Sequence, residues 1–220
     1  MAALTWDGTG ERFFETGTKK GVVYPYDTAL KKYGNGVAWN GLTAVTESPS
    51  GAEATDLWAD DIKYASMRSA EDFGFTIEAY QYPPEFAECD GSVEVASGVM
   101  IGQQDRKMFG FSYVTTIGND LSSNAGYKLH LIWGATASPS EKAYTTINDS
   151  PDAITFSWEC ETNPASVAGY KNVASMTIDS IKADPTDLET LEKKLYGTSE
   201  PDAQPTLPTP DEVIAIFRQE

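Results

Sequence analysis

The chain is poor in the side chains that most often carry chemistry. Among 220 residues there is one histidine, His130, and there are two cysteines, Cys89 and Cys160. No Cys/His cluster has the spacing of a zinc site. A Cys–His nucleophile would need His130 beside one of the thiols. Cys160 falls on the apolar face of a predicted strand, and Cys89 lies in a short acidic segment that raises rather than lowers a thiol pKa. No G-x-G-x-x-G and no P-loop occurs. Asp60-Asp61 and the pair Asp149 and Asp152 are loose acidic pairs without the pattern of a calcium loop. No catalytic residue, metal site or cofactor is therefore expected. Asn148-Asp149-Ser150 matches a glycosylation sequon, but Pro151 follows it, and modification there is not expected.

Cations are scarce as well. The sequence has 16 Lys and Arg against 33 Asp and Glu, a formal net charge of -17. Such a field repels phosphate, which excludes nucleic-acid binding through general electrostatics. No apolar run approaches 18 residues, so no membrane span is expected. The opening stretch MAALTWDGTGERFFE lacks a basic region followed by an apolar one, so no signal peptide is expected and the thiols are expected to be free.

What the chain has is alternation. In the stretch 72–91, DFGFTIEAYQYPPEFAECDG, Phe73, Phe75, Ile77 and Ala79 point one way, and Thr76, Glu78 and Tyr80 the other. That is a strand with one buried face. Pro83-Pro84 stops it, and one or two helical turns over 84–89 follow, closed by Gly91. Between 71 and 94 there are seven acidic residues and no Lys or Arg. This acidic segment is either solvated surface or the rim of a surface that repels an anion.

The remaining elements follow in order. Residues 1–36 read as a loop-rich start with a short strand at 21–26. Lys19-Lys20 and Lys31-Lys32 are basic pairs in an acidic chain, either solvated or a docking spot for an acidic neighbour such as another copy. A strand over 37–46 bends at Gly41. A long loop, 47–61, carries five acidic residues, Glu47, Glu53, Asp56, Asp60 and Asp61, and no basic one. Trp58 within it argues for docking on a neighbouring subunit. A modest strand at 62–67 precedes short strand-like islands at 93–95 and 99–101. Better strands lie at 107–117, 127–133, 154–161 and 173–180. Such a series predicts an antiparallel sandwich or partial barrel. Asp184-Pro185 opens one helix with Leu188, Leu191 and Leu195 as its apolar stripe and Gly197 as its stop. The domain is thus expected over 1–196, followed by a proline-rich linker at 197–210. A helical tail at 211–220 opens on a capping box, Thr209 with Glu212, and carries Val213, Ile214, Ile216 and Phe217. A helix that short is stable only when docked.

Several stretches carry a resemblance: FFETGTKKGVVYPY, KKYGNGVAWNGLTAVTESPSGAEAT, AEDFGFTIEAYQYPPEFAECDG, IGQQDRKMFGFSY, YKLHLIWGATASPSEKAYTTINDSP and ITFSWECETNP. With the helix at 185–196 they begin at Phe13, and the resemblance is taken over residues from about 5 to 196. In these the chain resembles the major tail protein (tail tube protein) of long, non-contractile-tailed double-stranded DNA bacteriophages. The resemblance implies a β-sandwich with a flanking helix and hexameric rings stacked into a tube. It also implies a negatively charged lumen through which DNA passes as cargo without sticking. Tape measure, tail terminator and distal tail proteins are the implied partners, and the virion tail, assembled in the host cytoplasm, the implied location. Residues 197–220 depart from it. On this view Glu78, Glu159, Glu161 and Asp179, on wet strand faces, are candidates to line the lumen. Glu47, Glu53, Asp56, Trp58, Asp60 and Asp61 are candidates for an inter-subunit loop. Two other classes are a carbohydrate-binding or adhesion module using Trp39, Trp58 and Trp133 as stacking platforms, and an enzyme using Cys89 or Cys160. Core or interface packing is the alternative role for those tryptophans, and the leucines around Trp133 favour it there.

Overall fold

Strand formation follows the alternation. A computed structural model describes residues 4–147, 149, 152–199 and 203–218; Asn148, Ser150 and Pro151 of the sequon lie outside them. Strand β1 spans Phe14–Asp27, β2 Lys32–Tyr33, β3 Val37–Trp39 and β4 Leu42–Glu47. A projecting segment holds β5 (Ser50–Gly51), β6 (Ala54–Ala59), β7 (Ile62–Arg68) and β8 (Glu71–Asp72). β9 (Gly74–Ala79) returns to the body, and β10 (Val93–Ala96) and β11 (Val99–Ile101) form a small hairpin. β12 (Phe109–Gly118), β13 (Gly126–Ala137), β14 (Phe156–Thr162) and β15 (Ser175–Asp179) follow, then helices α1 (Pro185–Tyr196) and α2 (Pro210–Ile216). The fold is mainly antiparallel β, a sandwich-like sheet with a flanking helix and a short C-terminal helix.

The main sheet runs β2-β1-β12-β13-β14-β9-β4, with β15 on β13 and β3 on β1. β3 pairs with β1 and β4 pairs with β9, yet only Asn40 and Gly41 separate β3 from β4. The two ends of the sheet are therefore drawn together and it curls into a partial barrel. Inside the curl lies an aromatic core that includes Trp39, Phe75, Ile77, Phe86, Phe109, Phe111 and Trp158. Outside the β1-β12-β13 wall lies a second core, where Leu129, Leu131 and Trp133 meet Leu188, Leu191 and Leu195 of α1 and Val213 and Ile216 of α2.

One strand serves both cores because of Gly134. Along β13, Leu129, Leu131 and Trp133 face the helices, whereas Ala135 and Ala137 face the barrel. Strict alternation would put all five on one face. An irregularity in the β12 register, between Phe109↔Ala135 and Phe111↔Ile132, supplies the extra residue that inverts the parity. Gly134 takes a φ of +66°, and a Cβ there would lie 2.1 Å from the Asn163 carbonyl oxygen. At the same point β13 changes partner: residues 128–132 pair with β15 and 135–137 with β14.

The strand expected over 37–46 is split by Asn40-Gly41 into β3 and β4. Apart from that and the 47–61 segment, three segments differ from the sequence expectation. The start is a long strand rather than loops: β1 pairs with β12 from Phe14↔Gly118 to Pro25↔Phe109. Gly17 and Lys20, both at positive φ, lie in its two register shifts and break the alternation that would have revealed it. After Pro83 the expected helical turn forms, as a 3-10 turn over Pro84–Phe86, but it is anchored in the core rather than lying as solvated surface. Phe86 and Cys89 are fully buried, and Asp90 is 7% exposed. Asp90 is held between Arg106 (3.4 Å) and Lys142, and Arg106 also donates to the carbonyls of Ala137 (3.0 Å) and Ser138 (3.2 Å). Buried charges need such partners.

The third difference is the segment after α1, which is seated rather than free. Leu207 is buried in the helix-side core, the Thr206 amide donates to the Lys194 carbonyl (2.8 Å), and Trp133 Nε1 donates to the Pro208 carbonyl (2.9 Å). α2 opens on the expected capping box and docks on its own chain through Val213 and Ile216. α1 is capped by Asp184, whose carboxylate accepts from the amides of Thr186 and Asp187. Its three buried leucines contribute roughly 2 kcal/mol each by burial. Gly134→Ala is expected to destabilise the chain by about 3 kcal/mol, because a left-handed backbone and a backbone overlap act together. Urea unfolding checks this; a loss below about 0.5 kcal/mol, within the range of ordinary surface substitutions, would contradict it.

Candidate assembly surface

The segment expected as a long loop at 47–61 is instead mostly the first limb of a β-hairpin arm. β6 pairs with β7 from Ala54↔Arg68 to Ala59↔Ile62, and β5 with β8 closes its base. Asp60 and Asp61 form the two-residue tip, with φ of 51° and 61°. Two consecutive positive φ values match the type I′ turn that suits strand twist, and Asp tolerates that region. The arm presents roughly 20 Å of paired strand, at about 3.3 Å per residue.

Among the described residues none covers the arm. Cross-strand partners share a face, so Leu57, Ile62, Ala65 and Met67 form one apolar side. The other carries Trp58 and an Asp56–Lys63 ion pair at 2.8 Å. Leu57, Ile62, Tyr64 and Met67 are all exposed, and Trp58 is 68% exposed. A lone two-stranded hairpin is marginal in water, and uncovered apolar side chains on it mark a contact surface. The sequence missed the second limb as part of this element. ATDLWA and IKYASMR around Asp60-Asp61 were the available signal: two strand-length runs about a two-residue turn. Of the candidate loop residues, Glu53, Asp56, Trp58, Asp60 and Asp61 belong to the arm. Glu47 does not. It ends β4 and is tied to the body, accepting from the Tyr113 hydroxyl at 2.7 Å.

The candidate lumen residues separate into two places. Glu78, Glu159 and Glu161 share the outer face of β9 and β14, opposite the core residues Ile77, Trp158 and Cys160. Glu78 sits across from Ser157, so it is diagonal to Glu159, about 7–8 Å away between backbones. The neighbours on this face, Ala44, Thr46, Thr76 and Ser157, are small and uncharged. Asp179 lies elsewhere. It ends β15 opposite Lys128, accepts from the Ile181 amide (2.9 Å) and lies 3.9 Å from Lys182. Its surroundings form a cleft of about 390 Å³ in which Glu15 and two lysines also take part, so its charge is locally balanced.

His130 is the hub of a polar network beside the foot of the arm. Its ring stacks on Tyr113 at 4.5 Å and 4°. Nε2 lies 3.0 Å from Thr115 Oγ1 and Nδ1 3.3 Å from Thr177 Oγ1. Glu47 Oε1 is 3.8 Å from Nδ1. Glu15, which holds Lys128, accepts from Thr115 at 3.4 Å. Burial lowers the His130 pKa, partly offset by Glu47 and Glu15, and burial raises that of Tyr113, with its bond to Glu47 adding to the effect.

Both cysteines are free and buried. Burial pushes the Cys89 thiol up to about 12, with Glu88 adding to it, and burial also raises that of Cys160. Burial is thus a larger cause for Cys89 than the acidic neighbours that the sequence suggested. Trp39 and Trp133 are core residues and offer no platform to a sugar. Among the described residues no group of three or more His, Cys, Asp or Glu could hold a metal ion. No protein-family model and no curated protein matches the chain.

The lowered His130 pKa sets a direction for pH dependence. The unfolded chain takes up a proton near pH 6.5 and the folded chain only below that. This contribution is therefore fully present above about pH 6.5 and is lost as pH falls through the unfolded value toward the folded one. His130→Gln removes it. The stability advantage of the native chain over this variant is expected to shrink between pH 7.5 and 5.5, measured by urea unfolding; an advantage independent of pH would contradict the assignment.

Proposed function

We propose that this chain is a structural subunit of a phage tail tube, forming rings that stack into a conduit for DNA. The uncovered arm is the observation that carries the reading. A protein that extends a two-stranded hairpin with Leu57, Trp58, Ile62, Tyr64 and Met67 in water is built to bury it against another molecule. Second support comes from the face bearing Glu78, Glu159 and Glu161. Repeated around a ring, these carboxylates would form a wall that holds phosphate off over roughly a Debye length, about 8 Å at physiological salt. The resemblance in the strand segments supplies the particular assembly.

Joining Gly51 to Glu71 through an Asn-Gly turn removes the arm and leaves its base. The expected product is a folded monomer, by circular dichroism and sedimentation, that no longer forms rings or tubes in negative-stain micrographs. Tubes that form as in the native chain would refute the role of the arm. In a complemented phage, Glu78→Lys and Glu159→Lys are expected to leave assembly intact and slow genome delivery. Normal delivery in both would remove these residues from the conduit.

A further inference from the structure

The arm needs an acceptor, and the structure offers one of opposite charge. An open pocket of about 880 Å³ lies between the β1–β2 connection, the Gly134 kink and the segment leading into α2. Lys31, Lys32 and Lys194 line it, with Glu212 as its acidic side chain. In a chain with 33 acidic and 16 basic residues, three lysines about one pocket are a rare concentration. Lys63, Lys107, Lys128, Lys142, Lys182 and Lys193 each have a carboxylate within ion-pair distance, whereas among the described residues these three, like Lys19, Lys20 and Lys171, have none.

The nearby acids are otherwise engaged. Asp27 accepts from the amides of Ala29 (2.8 Å) and Leu30 (3.0 Å), and Glu212 accepts from the Thr209 amide (2.9 Å) in the capping box. The frame is also rigid. Lys32 pairs with Asp27 across β1 and β2, and the Tyr33 hydroxyl accepts from the Gly134 amide (2.9 Å). Leu30, on the rim, is exposed and offers apolar contact.

We propose that this pocket receives the arm tip, Asp60 and Asp61, of a second copy of the chain. The tip supplies two carboxylates on a tight turn, flanked by exposed Trp58 and Ile62, which match the lysines and Leu30. Donor and acceptor are different patches of one surface, and in a ring each tip is taken to enter the pocket of the next copy, a heterologous contact; two copies exchanging tips reciprocally would instead close a two-fold dimer. The ring reading predicts association that continues past the dimer in the concentration series, whereas reciprocal exchange stops at two copies. The inference rests on the assembly reading above and adds the acceptor site to it.

The test is a double-mutant cycle read by sedimentation velocity over a concentration series. Lys31→Glu with Lys32→Glu reverses the pocket. Asp60→Asn with Asp61→Gly neutralises the tip while keeping residues that favour its turn. Each pair is expected to weaken self-association by about tenfold or more, the scale of close charge pairs across interfaces. Added salt is expected to weaken the native contact. The four changes together are expected to be no weaker than the pocket pair alone, because the repelled partner is gone. Circular dichroism confirms that each variant folds. Additive weakening would place tip and pocket in separate contacts and overturn the pairing. Undiminished association of the pocket variant, with association abolished by removal of the arm, would overturn the pocket alone and leave the assembly reading standing. A native chain that stays monomeric throughout would overturn both.

Discussion

The left-handed bulge at Gly134 is the constraint on which the rest depends. It lets one strand turn Leu129, Leu131 and Trp133 to the helices and Ala135 and Ala137 to the barrel. It is also where β13 exchanges β15 for β14. Without the inverted parity, either the aromatic core or the helix-side core would lose its wall. The Tyr33 hydroxyl receives the Gly134 amide, so the same residue anchors the β1–β2 connection. A single backbone conformation that favours glycine thus couples two hydrophobic cores and one rim of the body.

With both cores closed, the outward features stand on a rigid support. β4 and β9 are paired along their length, and the Tyr113–Glu47 bond fixes the point where the arm departs. The sheet that buries Ile77 and Trp158 must present Glu78 and Glu159 on its other face, because strand alternation allows nothing else. The acidic face therefore follows from the core, whereas the arm does not. Among the described residues it contributes to neither hydrophobic core, and the proposed contact with another molecule would account for its composition. That contrast is the physical basis for reading the chain as an assembly subunit.

Much of this was legible in the sequence where alternation is clean. β9, β13 up to Trp133, and β14 follow their apolar periods, α1 begins and ends where Asp184 and Gly197 place it, and α2 begins at the Thr209 capping box. Elsewhere the period is interrupted or does not apply. Gly17 and Lys20 break β1, so that only its 21–26 part reads as a strand. The arm has no buried face, so neither limb shows the full signature of a half-buried strand, and the acids of the first limb resemble a loop. The prolines of 197–210 suggested a tether, yet Leu207 and the Pro208 carbonyl are bound by partners far away in sequence. Asp179 alternates like the other wet acids and has Lys182 three residues on, but only the fold brings Lys128 to it. Long-range partners of this kind are invisible to local pattern.

The central claim is that the arm is exposed in the free subunit and buried in an assembly. Amide hydrogen exchange across 54–68, compared between dilute and concentrated protein, tests it most directly. The account predicts rapid exchange in dilute solution and strong protection of both limbs once the subunits associate, with the β12 and β13 core slow in both. Rapid exchange of the arm within an assembly, or association that protects other surfaces and leaves 54–68 unchanged, would contradict it.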